Sequence, residues 1–274
     1  MEGHIMLEAQ SQYQRIRIVD DRHHPGEFTL YLDDMFQLKT WIEFKYHESL
    51  VTMPMCCAPE IDRVLICGGG DGMSLREALK FSYSKPTLVE LDPGMVKIFR
   101  DMPEYSKFNN NSMSDPRAEV VIGDAIKYMR EDNSKYNVIC WDFPSPSDEL
   151  AEKDTLFKRN NLGLVVSHLQ TGGVFSTHIS MSTSLMVNVI KFFRNLGFYC
   201  WVYDCFYDNY GNQDTFLVVS ERPLRQLRKV PDSCRWANPD RIRIGYSVAT
   251  EITPEREQYI AQFLTLEDFE QDDV

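Results

Sequence analysis

From residue 62 onward, short apolar runs alternate with segments of helical periodicity. The runs are VLIC (64–67), TLVEL (87–91), AEVVIG (118–123), YNVICWD (136–142) and GGVFSTH (172–178). MSLREALKF (73–81), GMVKIFRDM (94–102), AIKYMRED (125–132) and LFKRNNLGLVVSHL (156–169) lie between them, and SLMVNVIKFFRNLG (184–197) follows the last. Strands that are apolar at consecutive positions must be covered on both faces, and strands joined through helices are expected to run parallel. FYCWVYDCF (198–206) and DTFLVVSE (214–221) close the series as a hairpin-like pair, while NNNSMSDPR (109–117) reads as a polar loop.

Upstream the rhythm is different. RIRIVDD and FTLYLDD alternate apolar and polar residues around the turn HHPGE, and FQLKT adds a third short strand, so 12–40 read as a small antiparallel unit. The first six residues are set aside from this reading. WIEFKYHESLVTMPM (41–55) has helical spacing and leads into the alternating region. Five β-α units and a terminal antiparallel pair define an α/β fold, a class I methyltransferase-like (Rossmann-like) doubly wound sheet with a small N-terminal antiparallel β domain. The expected units are an N-terminal β domain at 7–50, a nucleoside-binding catalytic domain at 51–222 and a C-terminal extension at 223–274. Within the extension ITPEREQYIAQFL is expected to be helical and EDFEQDDV frayed.

Composition narrows the function. The chain has 274 residues with 29 Lys and Arg against 41 Asp and Glu, a formal charge of −12. Nucleic acid and anionic membrane, which need basic surfaces, are disfavoured, and cationic small molecules fit. No apolar run is long enough to span a membrane, and the start lacks the order of a signal peptide. The seven cysteines form no C-x-x-C pair and read as reduced thiols of a cytoplasmic protein, with no disulfide frame and no metal site.

Ligands of open parallel sheets bind beyond the carboxyl ends of the strands. The first of these strands runs into Gly68-Gly69-Gly70-Asp71-Gly72; the second ends in Glu90 and Asp92, the third in Gly123-Asp124 and the fourth in Asp142. Glu90 lies where an acid accepts ribose hydroxyls, and Asp124 is placed for an adenine amino group, with a backbone N–H reading a ring nitrogen. There is no Walker pattern, and Asp71 would repel the pyrophosphate of a dinucleotide. A nucleoside without phosphate and with a positive charge near Asp71 fits better: a sulfonium donor of the S-adenosylmethionine kind.

At these residues the chain resembles the spermidine synthase (polyamine aminopropyltransferase) family over about 12–222. The resemblance lies in Y-Q-R-I (13–16), E-F-x-Y-H-E (43–48), G-G-G-D-G (68–72), E-L-D (90–92), G-D-A (123–125) and D-x-P-x-P (142–146). It implies transfer of an aminopropyl group from decarboxylated S-adenosylmethionine, a co-substrate and not a tightly bound cofactor, to putrescine or a longer polyamine, releasing methylthioadenosine. By this resemblance Gln14, His47, Asp71, Glu90 and Asp124 bind the donor, with Gly68, Gly70 and Ala125 completing its site. Tyr46, Asp142, Ser145 and Tyr210 face the amine, and Asp142 is the catalytic proton acceptor. A homodimer is expected. Decarboxylation supplies a reason for Asp71: at ~4 Å and an effective dielectric near 20, one unit-charge pair amounts to about 4 kcal/mol before desolvation, enough to favour an ammonium over a carboxylate.

The departures fall in the acceptor half. Family members commonly carry a second acid three residues after the catalytic one, and Ser145 stands there; Asp148, Glu149, Asp204, Asp208 and Asp214 are possible substitutes. Asp214-Thr215 replaces an apolar residue and glycine, and both Tyr207 and Tyr210 are candidates for the acceptor tyrosine. Two other readings stay open: an amine N-methyltransferase using S-adenosylmethionine, and a non-catalytic polyamine- or nucleoside-binding relative.

Overall fold

The computed structural model describes residues 3–143, 156–179, 183–206 and 213–238. Four antiparallel strands form an N-terminal meander: β1 (Ile5–Gln10), β2 (Arg15–Asp20), β3 (Phe28–Leu32) and β4 (Met35–Lys39), hydrogen-bonded in that order. The turn between β3 and β4 places Asp33 and Asp34 in the left-handed region, as the two-residue hairpin turn matched to strand twist requires. β1 corrects the sequence reading, which began the domain at residue 7 but placed no strand before residue 12. As an edge strand it leaves most of its side chains exposed, so it carries little periodic signal.

A buried helical segment, α1, crosses from the meander to the main sheet. It comprises Phe44–His47, a π-helical turn Glu48–Thr52, and Met53–Cys57. Then follow β5 (Arg63–Gly68), α2 (Met73–Leu79), β6 (Lys85–Glu90), α3 (Pro93–Asp101) and a helical turn, α4 (Pro103–Ser106). β7 (Glu119–Ile122), α5 (Ala125–Glu131), β8 (Tyr136–Asp142), α6 (Arg159–His168), β9 (Leu169–His178), α7 (Thr183–Asn195), β10 (Tyr199–Phe206) and β11 (Gln213–Ser220) complete the order.

The seven-stranded sheet has the order β10-β11-β9-β8-β5-β6-β7. β7, β6, β5, β8 and β9 are parallel; β11 inserts antiparallel between β9 and β10. The strand order reverses between β5 and β8, and a crevice opens at such a switch point beyond the carboxyl ends. Alternation divides the core. Val64, Ile66, Val138, Cys140 and Phe216 face α1, α2 and the meander, whereas Leu65, Cys67, Ile139, Trp141 and Leu217 face α5, α6 and α7. None of the seven cysteines is disulfide-bonded, and six of them are buried.

The expected polar loop at 109–117 is not solvated throughout. Asn109 and Ser112 are buried, and their side chains bond the backbone of the glycine turn. Their polarity satisfies buried peptide groups, which composition alone does not distinguish from a surface loop. Beyond β11 the chain lies irregularly against α1: the N–H groups of Leu227 and Arg228 bond the Cys56 carbonyl. Those of Arg235, Trp236 and Ala237 bond the buried carboxylate of Glu48. The helix expected within 252–264 lies outside the described residues. Among the described residues no helix is long and apolar enough to cross a membrane.

Candidate active site at the sheet switch point

The turn joining β5 to α2 brings backbone close to two acids. Gly69 has φ +74°, and a Cβ there would lie 2.7 Å from Oδ2 of Asp142. A Cβ on Gly70 would lie 2.8 Å from Cδ of Glu90. The glycines are therefore required by the carboxylates beside them as well as by the turn. Asp71 accepts the Met73 N–H at 2.8 Å on Oδ1, and its carbonyl takes the Asn109 amide at 2.8 Å.

Asp142 ends β8 next to this turn. Tyr46 on α1 donates its hydroxyl to Oδ1 at 2.9 Å, and Ser74, in the first turn of α2, donates to Oδ2 at 2.6 Å. The carboxylate is thus fixed from two elements. Each of its oxygens keeps acceptor capacity for a ligand N–H. Ser74 was not singled out from sequence, although its place three residues after Asp71 at the start of a helix is a usable signal.

His47 sits behind this pair, buried. Its Nδ1 lies 2.6 Å from Oε2 of Glu43, and its Nε2 lies 3.9 Å from Oδ1 of Asp71. Glu43 in turn receives both terminal nitrogens of Arg76 at 2.9 Å. Arg76 also bonds Glu77, and Lys80 joins Glu77 to Glu48. Sequence reasoning missed Glu43 and Arg76; they lie 33 residues apart and meet only when α1 packs on α2.

The other residues that the resemblance assigns to a donor lie at or near strand ends, each with a local partner. Glu90 accepts the Asp92 N–H at 2.7 Å. Gln14, from the meander, donates to Asp92 at 2.9 Å, so the structure brings it to the end of β6 through that acid. Asp124 caps α5, accepting the N–H groups of Ile126 and Lys127, and Ala125 is buried beside it. Gly68 ends β5 beside Asp142. Ser145 and Tyr210 lie outside the described residues, as do Tyr207, Asp148, Glu149 and Asp208. His178 at the end of β9 lies 2.8 Å from Asp214, and its ring packs edge-on against Tyr46.

The crevice is electrostatically tense. Burial pushes the Glu90 carboxyl up to about 7; the Asp92 N–H opposes this, and the charges of Asp71, Asp92 and Asp142 add to it. Burial also raises Asp71, with Asp142 and Glu43 adding to the rise while His47 counters it. Burial alone would lower His47, but the hydrogen bond and charge of Glu43, helped by Asp71 and Asp142, hold it at about 9. Tyr46 is raised by burial and then by the charges of Asp142 and Asp214, so it stays a neutral donor. Several carboxylates that raise one another across one crevice favour a cationic ligand.

Glycine turn, acids and strand order together define the class I methyltransferase-like fold with an acidic crevice at its switch point. Within that class, the chain belongs to the spermine/spermidine synthase family: the family profile described as "Spermine/spermidine synthase domain" matches residues 43–227. Among curated relatives it is 36% identical over 171 residues to "Polyamine aminopropyltransferase 2" of Bacillus cereus, covering 62% of this chain and 45% of that protein. It is 37% identical over 179 residues to "Polyamine aminopropyltransferase 1" of Hyperthermus butylicus, covering 63% and 59%. The chain spans about half the length of the curated relatives it matches. Its fold is similar to that of a spermidine synthase from Thermotoga maritima, with TM-score 0.76 and 23% identity over 94% of this chain and 87% of that one. It is equally similar to a spermidine synthase in complex with the transition-state analogue AdoDATO, with TM-score 0.75 and 23% identity over 95% and 88%.

Proposed function

We propose that the protein transfers an aminopropyl group from decarboxylated S-adenosylmethionine to an amine acceptor. The observation that carries this reading is the set of carboxylates Asp71, Glu90 and Asp142 around the glycine turn, two of them raised by burial and by one another. The donor brings a sulfonium and an ammonium, and the acceptor brings amines, so the substrates supply the charge that such a crevice favours. Asp71 reads the donor ammonium. Glu90 takes ribose hydroxyls, with Gly68, Gly70 and Gln14 beside it, and Asp124 with Ala125 takes the base. His47 acts from behind Asp71.

In the reaction a neutral amine nitrogen attacks the aminopropyl carbon next to sulfur. The C–N bond forms, the C–S bond breaks with its electron pair going to sulfur, and methylthioadenosine leaves. The new ammonium then loses a proton toward Asp142. A free amine near 10 and an ordinary carboxylate near 4 differ by about 8 kcal/mol, so direct transfer is uphill and the proton passes on to water. Asp142, held by Tyr46 and Ser74, chiefly orients the amine for in-line attack, and this positioning supplies much of the rate. Tyr46 and Asp142 with Ser145 and Tyr210 form the acceptor side in this reading. A second copy of the chain is the proposed partner, which sedimentation tests; a cytoplasmic location is proposed from the reduced, mostly buried thiols.

Incubation with each donor and a panel of amines tests the reading. Methylthioadenosine is expected; S-adenosylhomocysteine would mark a methyltransferase instead, and neither product a non-catalytic protein. Asp142→Asn is expected to lower kcat by about 10²- to 10⁴-fold while nucleoside affinity stays within a few-fold. Normal turnover by that variant would remove Asp142 from the chemistry.

A further inference from the structure

The proposed chemistry leaves one step without a residue: Asp142 holds the proton of the new ammonium too weakly, and the proton passes on to water. An imidazole stands beside that acid. Trp141 pairs with Thr177 across β8 and β9, so the next residues, Asp142 and His178, end neighbouring parallel strands. Neighbouring strands lie ~4.8 Å apart. Tyr46 of α1 touches both residues: it donates its hydroxyl to Asp142 at 2.9 Å and meets the His178 ring edge-on, 5.3 Å between centroids. The His178 side chain is 12% exposed, packed against the Tyr46 and Phe216 rings, and its Nε2 lies 2.8 Å from Oδ1 of Asp214. His178 pairs with Phe216, and Asp214, two residues earlier on β11, shares the face of Phe216. An ionised carboxylate only accepts, so Nε2 carries the hydrogen in this contact, and in the neutral tautomer the lone pair is on Nδ1. The charges of Asp142 and Asp214 both act on Tyr46, so the two acids and the imidazole share one electrostatic neighbourhood.

We propose that His178, held by Asp214, is the general base of the reaction: its imidazole takes the proton of the attacking amine while Asp142 orients that amine. This rests on the aminopropyl-transfer reading for the reaction itself. As the neutral amine attacks, the C–N bond forms and the C–S bond breaks with its electron pair going to sulfur. The nitrogen becomes cationic, and one of its N–H bonds breaks with the electron pair left on nitrogen. The proton binds Nδ1 of His178, the Asp214 carboxylate pairs with the imidazolium, and water carries the proton away before the next turnover. An amine at about 10 and an ordinary carboxylate at about 4 are about six pH units apart, whereas an ordinary imidazole at about 6.5 narrows the gap to about 3.5 and makes the transfer about 300-fold less unfavourable. A carboxylate on the far nitrogen fixes the tautomer and stabilises the imidazolium that forms, so Asp214 is a positioning residue and His178 a catalytic one.

The pH dependence of kcat, measured on the full chain at saturating donor and amine between about pH 5 and 8, tests the base, because imidazoles change charge there and ordinary carboxylates do not. Among the described residues, the titratable groups that face the imidazole are Tyr46 from α1, Asp142 from β8 and Asp214 from β11. Glu90, pushed up to about 7 by burial, faces the donor in the same reading, so saturating donor removes it from kcat. Wild-type kcat should fall toward acid as one group is protonated. His178→Gln, which keeps a hydrogen-bond partner for Asp214, should lower kcat by about 10²-fold or more, abolish that fall and leave donor affinity by calorimetry within twofold. Asp214→Asn should move the fall to lower pH, since it removes the anion that holds the imidazolium, and Asp214→Glu should restore it. Imidazole added to His178→Ala should restore turnover in proportion to its concentration, and more basic methylimidazoles should restore more. A kcat of His178→Gln within twofold of the wild type, an acid-side fall that persists in that variant, or no rescue of His178→Ala by any imidazole overturns the base and leaves the transfer reading standing. Absence of methylthioadenosine from the wild type with every amine would instead overturn the transfer reading, and this step with it.

Discussion

Replacing Glu43 by glutamine removes the charge that keeps His47 an imidazolium. The two side chains are 2.6 Å apart and almost wholly buried. In the folded protein His47 is raised from 6.5 to about 9, where the Glu43 hydrogen bond and charge overcome the opposing effect of burial. Burial acts on Glu43 in the upward direction, but His47 and Arg76 together lower it from 4.5 to about 2. The two displacements are alike and describe one interaction, so they are counted once. At about 1.4 kcal/mol per pH unit, holding His47 at about 9 is worth about 3 kcal/mol. The sign follows from linkage. A raised histidine stabilises fully below 6.5 and loses that contribution as pH climbs to about 9; the lowered Glu43 stabilises above 4.5 and loses its contribution as pH falls toward about 2. Urea unfolding should therefore show the wild type losing about 3 kcal/mol more than Glu43→Gln between pH 6.5 and 9. At neutral pH the variant should be less stable by about 3 kcal/mol, because Arg76 and His47 lose their buried partner. The imidazole of wild-type His47, followed by NMR, should titrate near 9. Parallel stability curves for the two proteins, or a wild-type His47 that titrates at or below 6.5, would refute the reasoning.

Three further outcomes are expected. Asn109→Ala strips the Asp71 and Phe99 carbonyls of their amide donor, both at 2.8 Å; it should cost about 1–3 kcal/mol in urea unfolding and raise the donor KM more than it lowers kcat. Gly70→Ala drives a Cβ to 2.8 Å from both Cδ of Glu90 and Cβ of Met95, so donor affinity measured by calorimetry should fall at least tenfold and the melting temperature should fall with it. Glu90, raised to about 7 by burial despite the Asp92 N–H, should lose a proton when a cationic donor binds; calorimetry at pH 6 in buffers of different ionisation enthalpy should show proton release, and donor affinity should weaken as pH drops below 7.

The order of strands and helices was legible because buried parallel strands and amphipathic helices have different periods, and β5 to β9 fall where the apolar runs stand. The glycine turn and its acids were legible because the class of fold dictates where ligand-facing residues occur in the chain. β1 was not, since only Leu7 and Ala9 of its six residues turn toward the core, too short an alternation to mark a strand. Neither was the burial of Asn109 and Ser112, because polarity signals a loop whether its groups face water or peptide bonds. Local chemistry also adds a layer that spacing hides: Asp124 holds the start of α5, and Gln14 reaches the crevice through Asp92.

By itself the sequence determined the doubly wound sheet, the glycine turn and the acids that end its strands, because each follows from the order of residues along one element. Tertiary structure alone decided which charges meet. Glu43 with Arg76, Tyr46 with Asp142, and His178 with Asp214 are separated by 33, 96 and 36 residues. Their protonation and their aim depend on burial and on a partner from another element, and neither is encoded in the spacing of either residue.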